Sequence, residues 1–246
     1  MSIVILLGST AAYGFDYYKL MDLSDQFYEN RESIGTLERS IQLLLDIVDN
    51  EAMLNDEQRY DTYYKLAQRY SESLYYTLYT NEELLMVYQK GKQFAEQANL
   101  LRPDGVEGLY WAAMILNRMR EYSGFFENVY IMNEIQFLMQ SLQRIDPNFA
   151  DAYYLLAHAY RVAPRFFSIR NFSKAKETIE MAISLDQFNS HYFLELGYIC
   201  LALEQEEEAR EAFQQVLTLP ARKDILPTMM EQNESEAKRQ MILLLQ

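Results

Sequence analysis

Residues 190–217 read SHYFLELGYICLALEQEEEAREAFQQVL. With Ser190 counted as position 1, Phe193, Leu196 and Cys200 fall at positions 4, 7 and 11. That is one apolar stripe with the period of an α-helix. Gly197 stands at position 8, and Ala209, Phe213 and Leu217 stand at 20, 24 and 28. Small residues at 8 and 20 allow a second helix to approach the first closely. Glu204 to Glu208, with four carboxylates, is expected to open that second helix, where the helix dipole favours negative charge.

A helix–turn–helix unit of this spacing is a tetratricopeptide repeat. The preceding residues repeat it. Tyr153, Leu156, Ala157 and Tyr160 take positions 4, 7, 8 and 11. Ala175, Ile179, Ala182 and Asp186 match 20, 24, 27 and 31 after a six-residue insertion near Val162 to Asn171, which contains Pro164-Arg165-Phe166-Phe167. Tyr63, Leu66, Ala67 and Tyr70 begin a further unit, with a longer insertion holding Tyr75, Tyr76 and Tyr79. Its second helix is expected from about Glu82 to Leu101, with Thr80 and Glu83 as a capping box. Leu109, Ala112, Ala113 and Leu116 mark a unit starting near Asp104, whose second helix spans about Phe125 to Ile145. The first pair is the least regular: Asp16 to Glu29, then Ser33 to Asp49, with Ile34, Leu37, Ile41, Leu44, Leu45 and Val48 on one face.

Pro103, Pro147 and Pro220 close three units. Pro227 reads as linker, and Asn233 with Glu236 as the start of a final helix that covers the last apolar face. The fold class is therefore all-α: a tetratricopeptide-like α-solenoid of about five helix pairs, with inserted segments and a C-terminal capping helix. Residues 15–246 read as one domain. Residues 1–14 read in two ways. Ile3 to Leu7 followed by small residues is either the remnant of a signal peptide or a hydrophobic lead-in to the first helix.

Composition agrees with helices. The 246 residues include only 8 Gly and 5 Pro, too few to turn an all-β chain. The net charge of −14 would repel a phosphate backbone, which excludes nucleic acid as the main partner. Cys200 is the only cysteine, so no disulfide forms within the chain. At position 11 it reads as an inert core thiol.

The sequence offers little catalytic chemistry. The two histidines, His158 and His191, have no metal-ligand spacing, and there is no nucleophile elbow or phosphate-binding loop. No catalytic residue, metal ligand or cofactor is expected. Positions 2, 5, 9 and 12 of the first helices should line an inner face. The candidate ligand- or partner-binding residues on that face are Tyr64, Gln68, Tyr110, Met114, Asn117, Tyr154, His158, Arg161 and Tyr198. Tyrosine recurs at position 5 as Tyr64, Tyr110 and Tyr154. These rings either pack inside the stack or line a groove, where a large apolar face with one hydroxyl suits binding. Trp111, at position 6, reads as core.

The chain resembles the T-component of tripartite ATP-independent periplasmic (TRAP) transporter systems. The resemblance runs from about Asp56 to the C-terminus. It is carried by Tyr63-Tyr64-Lys65-Leu66-Ala67, by Gly108-Leu109-Tyr110-Trp111-Ala112-Ala113, and by Asp146-Pro147-Asn148-Phe149-Ala150-Asp151-Ala152, together with the Ala163-Pro164 insert and Ser173-Lys174-Ala175. The order of units is also similar to the regulator-of-microtubule-dynamics family. The first resemblance implies a non-catalytic protein of the periplasm or cell envelope. It would pair with a solute-binding protein and hold a small apolar ligand. Bacterial members of that family are lipoproteins, and no cysteine stands near the N-terminus here to carry a lipid. A cytoplasmic tetratricopeptide adaptor is the other reading.

Overall fold

The computed structural model describes residues 15–73, 79–166, 168–220 and 227–245. The expected readings of residues 1–14, Tyr75, Tyr76 and Phe167 lie outside these. The described residues form eleven α-helices and no strand. They group into two compact units, one within 1–101 and one within 102–246.

The first unit holds α1 (Tyr17–Glu29), α2 (Thr36–Val48), α3 (Asp56–Glu72) and α4 (Asn81–Leu101). α1 packs on α2 and α3 on α4, as two antiparallel pairs. Local chemistry starts the helices. The Asp16 carboxylate accepts from the Lys19 amide at 3.2 Å. Asn55 and Gln58 cap α3 reciprocally, at 2.9 and 3.1 Å. Thr80 and Glu83 do the same for α4, at 3.3 and 2.8 Å. Leu37, Ile41, Leu44 and Ile47 of α2 meet Tyr17, Met21, Leu66 and Tyr70 in the core. Ile34 does not join that face. It precedes the helix in a turn and is fully exposed, because Gly35 at φ 79° redirects the chain before α2 begins.

The second unit holds α5 (Val106–Met119), α6 (Phe125–Ile145), α7 (Ala150–Val162), α8 (Phe172–Leu185), α9 (Ser190–Ala202), α10 (Glu206–Thr218) and α11 (Pro227–Leu243). Successive helices pack on one another, α11 reaches back to α9, and α7 touches both α5 and α9. The repeat spacing holds here. Ala157, Ala175, Ile179, Ala182, Cys200, Ala209 and Phe213 are all buried. Position 8 must be small in the last pair: a Cβ added to Gly197 would overlap the Phe213 ring, which is itself fully buried. Trp111 is half-buried rather than core.

Two C-terminal expectations change. Glu204 does not open α10. It sits at φ 62° in the turn after α9, donating its amide to Leu201 O, while the Gln205 amide bonds to Cys200 O. This is a Schellman turn with glutamate where glycine is usual. Only Glu206, Glu207 and Glu208 stand in the first turn of α10. The final helix starts at Pro227 and not at Asn233, since proline at the first helical position lacks only an amide that would have no partner there. Asn233, mid-helix and buried, donates to Ser190 Oγ at 2.9 Å and lies 3.1 Å from His191 Nδ1.

Both points can be measured by denaturant unfolding of the full chain. Gly197→Ala should lower stability by about 1–3 kcal/mol, because the Phe213 ring has nowhere to move. Glu204→Gly should raise it by up to about 1 kcal/mol, by relieving a left-handed backbone that a side chain disfavours.

Candidate functional site

The first helices of the second unit, α5, α7 and α9, carry most of the candidate residues. All nine candidates are half-buried, in neither the core nor open solvent. Tyr110 of α5 packs edge-on against Trp111 and Phe149, with ring centroids 5.0 and 5.3 Å apart. Burial, with the Asp151 charge nearby, raises its hydroxyl well above the usual tyrosine range. Met114 and Asn117 continue along α5. The buried Asn117 Oδ1 accepts no hydrogen bond from the described residues.

On α7 and α9 the residues interlock. Tyr154 stacks on Tyr192 at 5.4 Å and lies 6.4 Å from the His158 ring and 6.3 Å from the His191 ring. The Tyr192 hydroxyl donates to the Asp151 carboxylate at 2.5 Å. Arg161 donates to both oxygens of Glu195, at 2.5 and 2.9 Å. His158 Nδ1 lies 3.1 Å from the same carboxylate. The Arg161 guanidinium also lies over the Tyr198 ring at 5.1 Å, and the Tyr198 hydroxyl donates to Glu236 of α11. Four candidates, Tyr154, His158, Arg161 and Tyr198, are thus joined in one ladder running from α7 to α11.

Glu195 is the centre of that ladder, and spacing alone does not mark it as such. It is only 4% exposed. Burial alone would raise its carboxyl, but the charges and hydrogen bonds of His158 and Arg161 outweigh this and hold it at about 2. The available signal is compositional: it is the only carboxylate in α9, an otherwise apolar helix. Asp151 falls at position 2 of the inner face, and Asn233 with Glu236 reads as a helix start, but spacing does not reveal their contacts with Tyr192, Ser190 and Tyr198. Each of these contacts is made to a neighbouring helix.

In the first unit, Tyr64 packs tilted against Tyr60 at 5.4 Å and against the cluster of Tyr60, Tyr63 and Ala98. Gln68 accepts from the Arg69 guanidinium. Arg69, 2% exposed, pairs with Asp25 at 2.7 Å and lies 3.8 Å over the Tyr28 ring. Arg31 lies over the same ring at 4.1 Å and pairs with Glu72 at 2.8 Å. Here the charged residues next to the candidates bind α1 to α3. Among the described residues, no group of three or more His, Cys, Asp or Glu is placed to hold a metal ion.

His191 and Glu195 should make the fold sensitive to acid. His191 is pushed down to about 4 by burial and the Arg118 charge. Between that value and its ordinary 6.5, the unfolded chain takes a proton that the folded chain refuses, so stability falls as pH drops through this window. Glu195 adds a second loss as pH falls from about 4.5 towards 2. Urea midpoints should therefore decline steadily from about pH 7 to about pH 3. Glu195→Gln should cost about 3 kcal/mol at neutral pH and flatten the decline below about pH 4.5.

The fold is similar to that of TTC0263, a thermophilic TPR protein of Thermus thermophilus. Identity is 12%, with 91% of this chain and all of that one covered, at a TM-score of 0.67. A MamA fragment from Desulfovibrio magneticus RS-1 aligns at 19% identity over 82% of this chain and 94% of its own, with a TM-score of 0.55. Another MamA structure aligns at 15% identity over 88% and 98%, with a TM-score of 0.54. At these identities the likeness is one of fold. No curated protein sequence matches the chain. The profile of one family, described as regulator of microtubule dynamics protein 1-3, matches residues 20–164, more than half of the chain. By that match the chain belongs to the regulator of microtubule dynamics protein 1-3 family.

Proposed function

We propose that this protein is a non-catalytic tetratricopeptide-type scaffold that receives a protein partner along α5, α7 and α9. The observation that carries this reading is the half-buried row of Tyr110, Tyr154, His158, Arg161 and Tyr198. Aromatic rings and arginine are the residues that most often anchor a protein interface. In this row they are already positioned by Glu195, Tyr192 and Glu236. Such pre-organisation lowers the entropy lost on binding.

In its finer form, the proposal places the chain in the bacterial cell envelope, beside a TRAP-type transporter. The partner is then a periplasmic solute-binding protein, and the inner face also holds a small apolar ligand. The support is the resemblance carried by residues 63–67, 108–113 and 146–152. A specific observation favours a second reading. The match over residues 20–164 to a family described by its regulation of microtubule dynamics suits a cytoplasmic adaptor acting through protein–protein contact.

Cell fractionation with mass spectrometry of the mature N-terminus separates the two. Periplasmic recovery with residues 1–14 removed is the expected outcome of the envelope reading. A cytoplasmic product retaining them sinks it. The binding face is tested by Tyr110→Ala combined with Tyr154→Ala. Partner binding per folded molecule, measured by calorimetry, should weaken by about 1–2 kcal/mol for each ring. A steep loss of folding stability with unchanged binding would make these rings structural only.

A further inference from the structure

The longest stretch of the chain without an Asp or Glu is residues 152–176, and it holds Arg161, Arg165, Arg170, Lys174 and Lys176. Acids outnumber bases by 36 to 22 in the whole chain, so charge is segregated here. Arg161 and Lys176 are bound across the stack, to Glu195 of α9 and Glu208 of α10. Arg165, Arg170 and Lys174 are exposed, and among the described residues no carboxylate pairs with any of them. Each lies on an aromatic ring instead: Arg165 over Phe166 at 5.6 Å, Arg170 over Phe172 at 4.7 Å and Lys174 over Tyr160 at 4.7 Å.

The turn between α7 and α8 gathers these groups. Its ends are tied down, the Ala163 amide donating to Ala159 O and the Asn171 amide to Tyr160 O, at 3.0 Å each. The three cations therefore stand at one end of this helix pair with Phe166, which is 61% exposed. Helix chemistry does not ask for them there. The first turns of α3 to α7 and of α10 carry acids, as the helix dipole favours. The first turn of α8 has none and contains Lys174, a placement that costs the helix stability.

We infer that this turn docks the chain on a membrane surface rich in anionic phospholipid. The order of side chains selects that occupant. Phe166 enters the boundary between headgroups and acyl chains, while Arg165 and Arg170 stay at the level of the phosphates. An acidic polypeptide answers the cations alone. The cations are also ready for phosphate: no ion pair has to break first, and arginine meets phosphate oxygens two at a time. The net charge of −14 does not prevent the approach, because charges more than about 8 Å away are screened at ordinary ionic strength. The turn shares no residue with the row of Tyr110, Tyr154, His158, Arg161 and Tyr198, so the inference stands apart from the partner-binding role proposed above.

The test is flotation of the full chain with vesicles of phosphatidylcholine, alone or with about 30% phosphatidylserine. Binding should require phosphatidylserine and weaken as salt is raised. Arg165→Gln combined with Arg170→Gln should weaken it about twentyfold, at about fivefold for each cation. Phe166→Ser should weaken it at least threefold. Arg165→Lys combined with Arg170→Lys should keep most of it, which separates lost charge from altered folding. All four sites are exposed or in the turn, so the helical circular dichroism spectrum should not change. A chain that stays off the anionic vesicles overturns the inference, as does one that binds phosphatidylcholine alone equally well. Binding that survives the Gln variant overturns it too. Capture of polyglutamate in preference to the anionic vesicles, lost in the Gln variant, would assign the turn to an acidic protein and likewise overturn it.

Discussion

Everything in the second unit depends on how closely the two helices of a pair can approach. Gly197 lets the Phe213 ring lie directly on the α9 backbone. Ala157 and Ala175 are the fully buried counterparts one pair earlier. Because the approach is made by small residues, the larger side chains at neighbouring positions must point along the stack or away from it. That constraint produces the row on α5, α7 and α9. Tyr154 stands between the core and solvent, stacked on Tyr192 of the next first helix, while Tyr198 packs edge-on against Phe213 and reaches Glu236 of α11.

Half-burial then decides the chemistry. An arginine or a histidine at such a depth cannot stay unpaired without a large desolvation cost. Arg161 and His158 share one carboxylate, Glu195, supplied by the next helix. The first unit meets the same problem differently, with Arg69 and Arg31 lying over Tyr28 and pairing with Asp25 and Glu72. In both units, buried ionic contacts fix which residues of adjacent helices meet. Apolar packing alone would specify that register less sharply.

The helix pairs are legible in the sequence because they rest on spacing, which is local information. α6 begins and ends where its apolar period and Pro147 predict, and Thr80 caps α4 with Glu83. The departures have a common origin. Asn233 looks like a cap because asparagine caps many helices, yet it is a buried polar link to α9. Glu204 looks helical because carboxylates favour helix N-termini, yet the turn places it in left-handed backbone. Ile34 looks like core by periodicity, yet Gly35 ends the period. Glu195 escapes notice because its partners lie 34 and 37 residues away. In each case the deciding interaction is with a neighbouring helix or a turn, and a stripe read along one helix does not contain it.

The way α11 is fastened bears on how the chain comes apart. In a stack of repeats each unit senses only its neighbours, so the ends open first and cheaply. Here α11 grips two helices. It lies on α10, and it also reaches α9 through Asn233 to Ser190 and through Tyr198 to Glu236. Peeling it away therefore strands the buried Ser190, at the start of α9, and Asn233, and breaks the half-buried Tyr198–Glu236 contact near the end of α9. The terminus behaves less as a loose lid than as a clasp, and the last helix pair and its cover should exchange their amide hydrogens as one cooperative block.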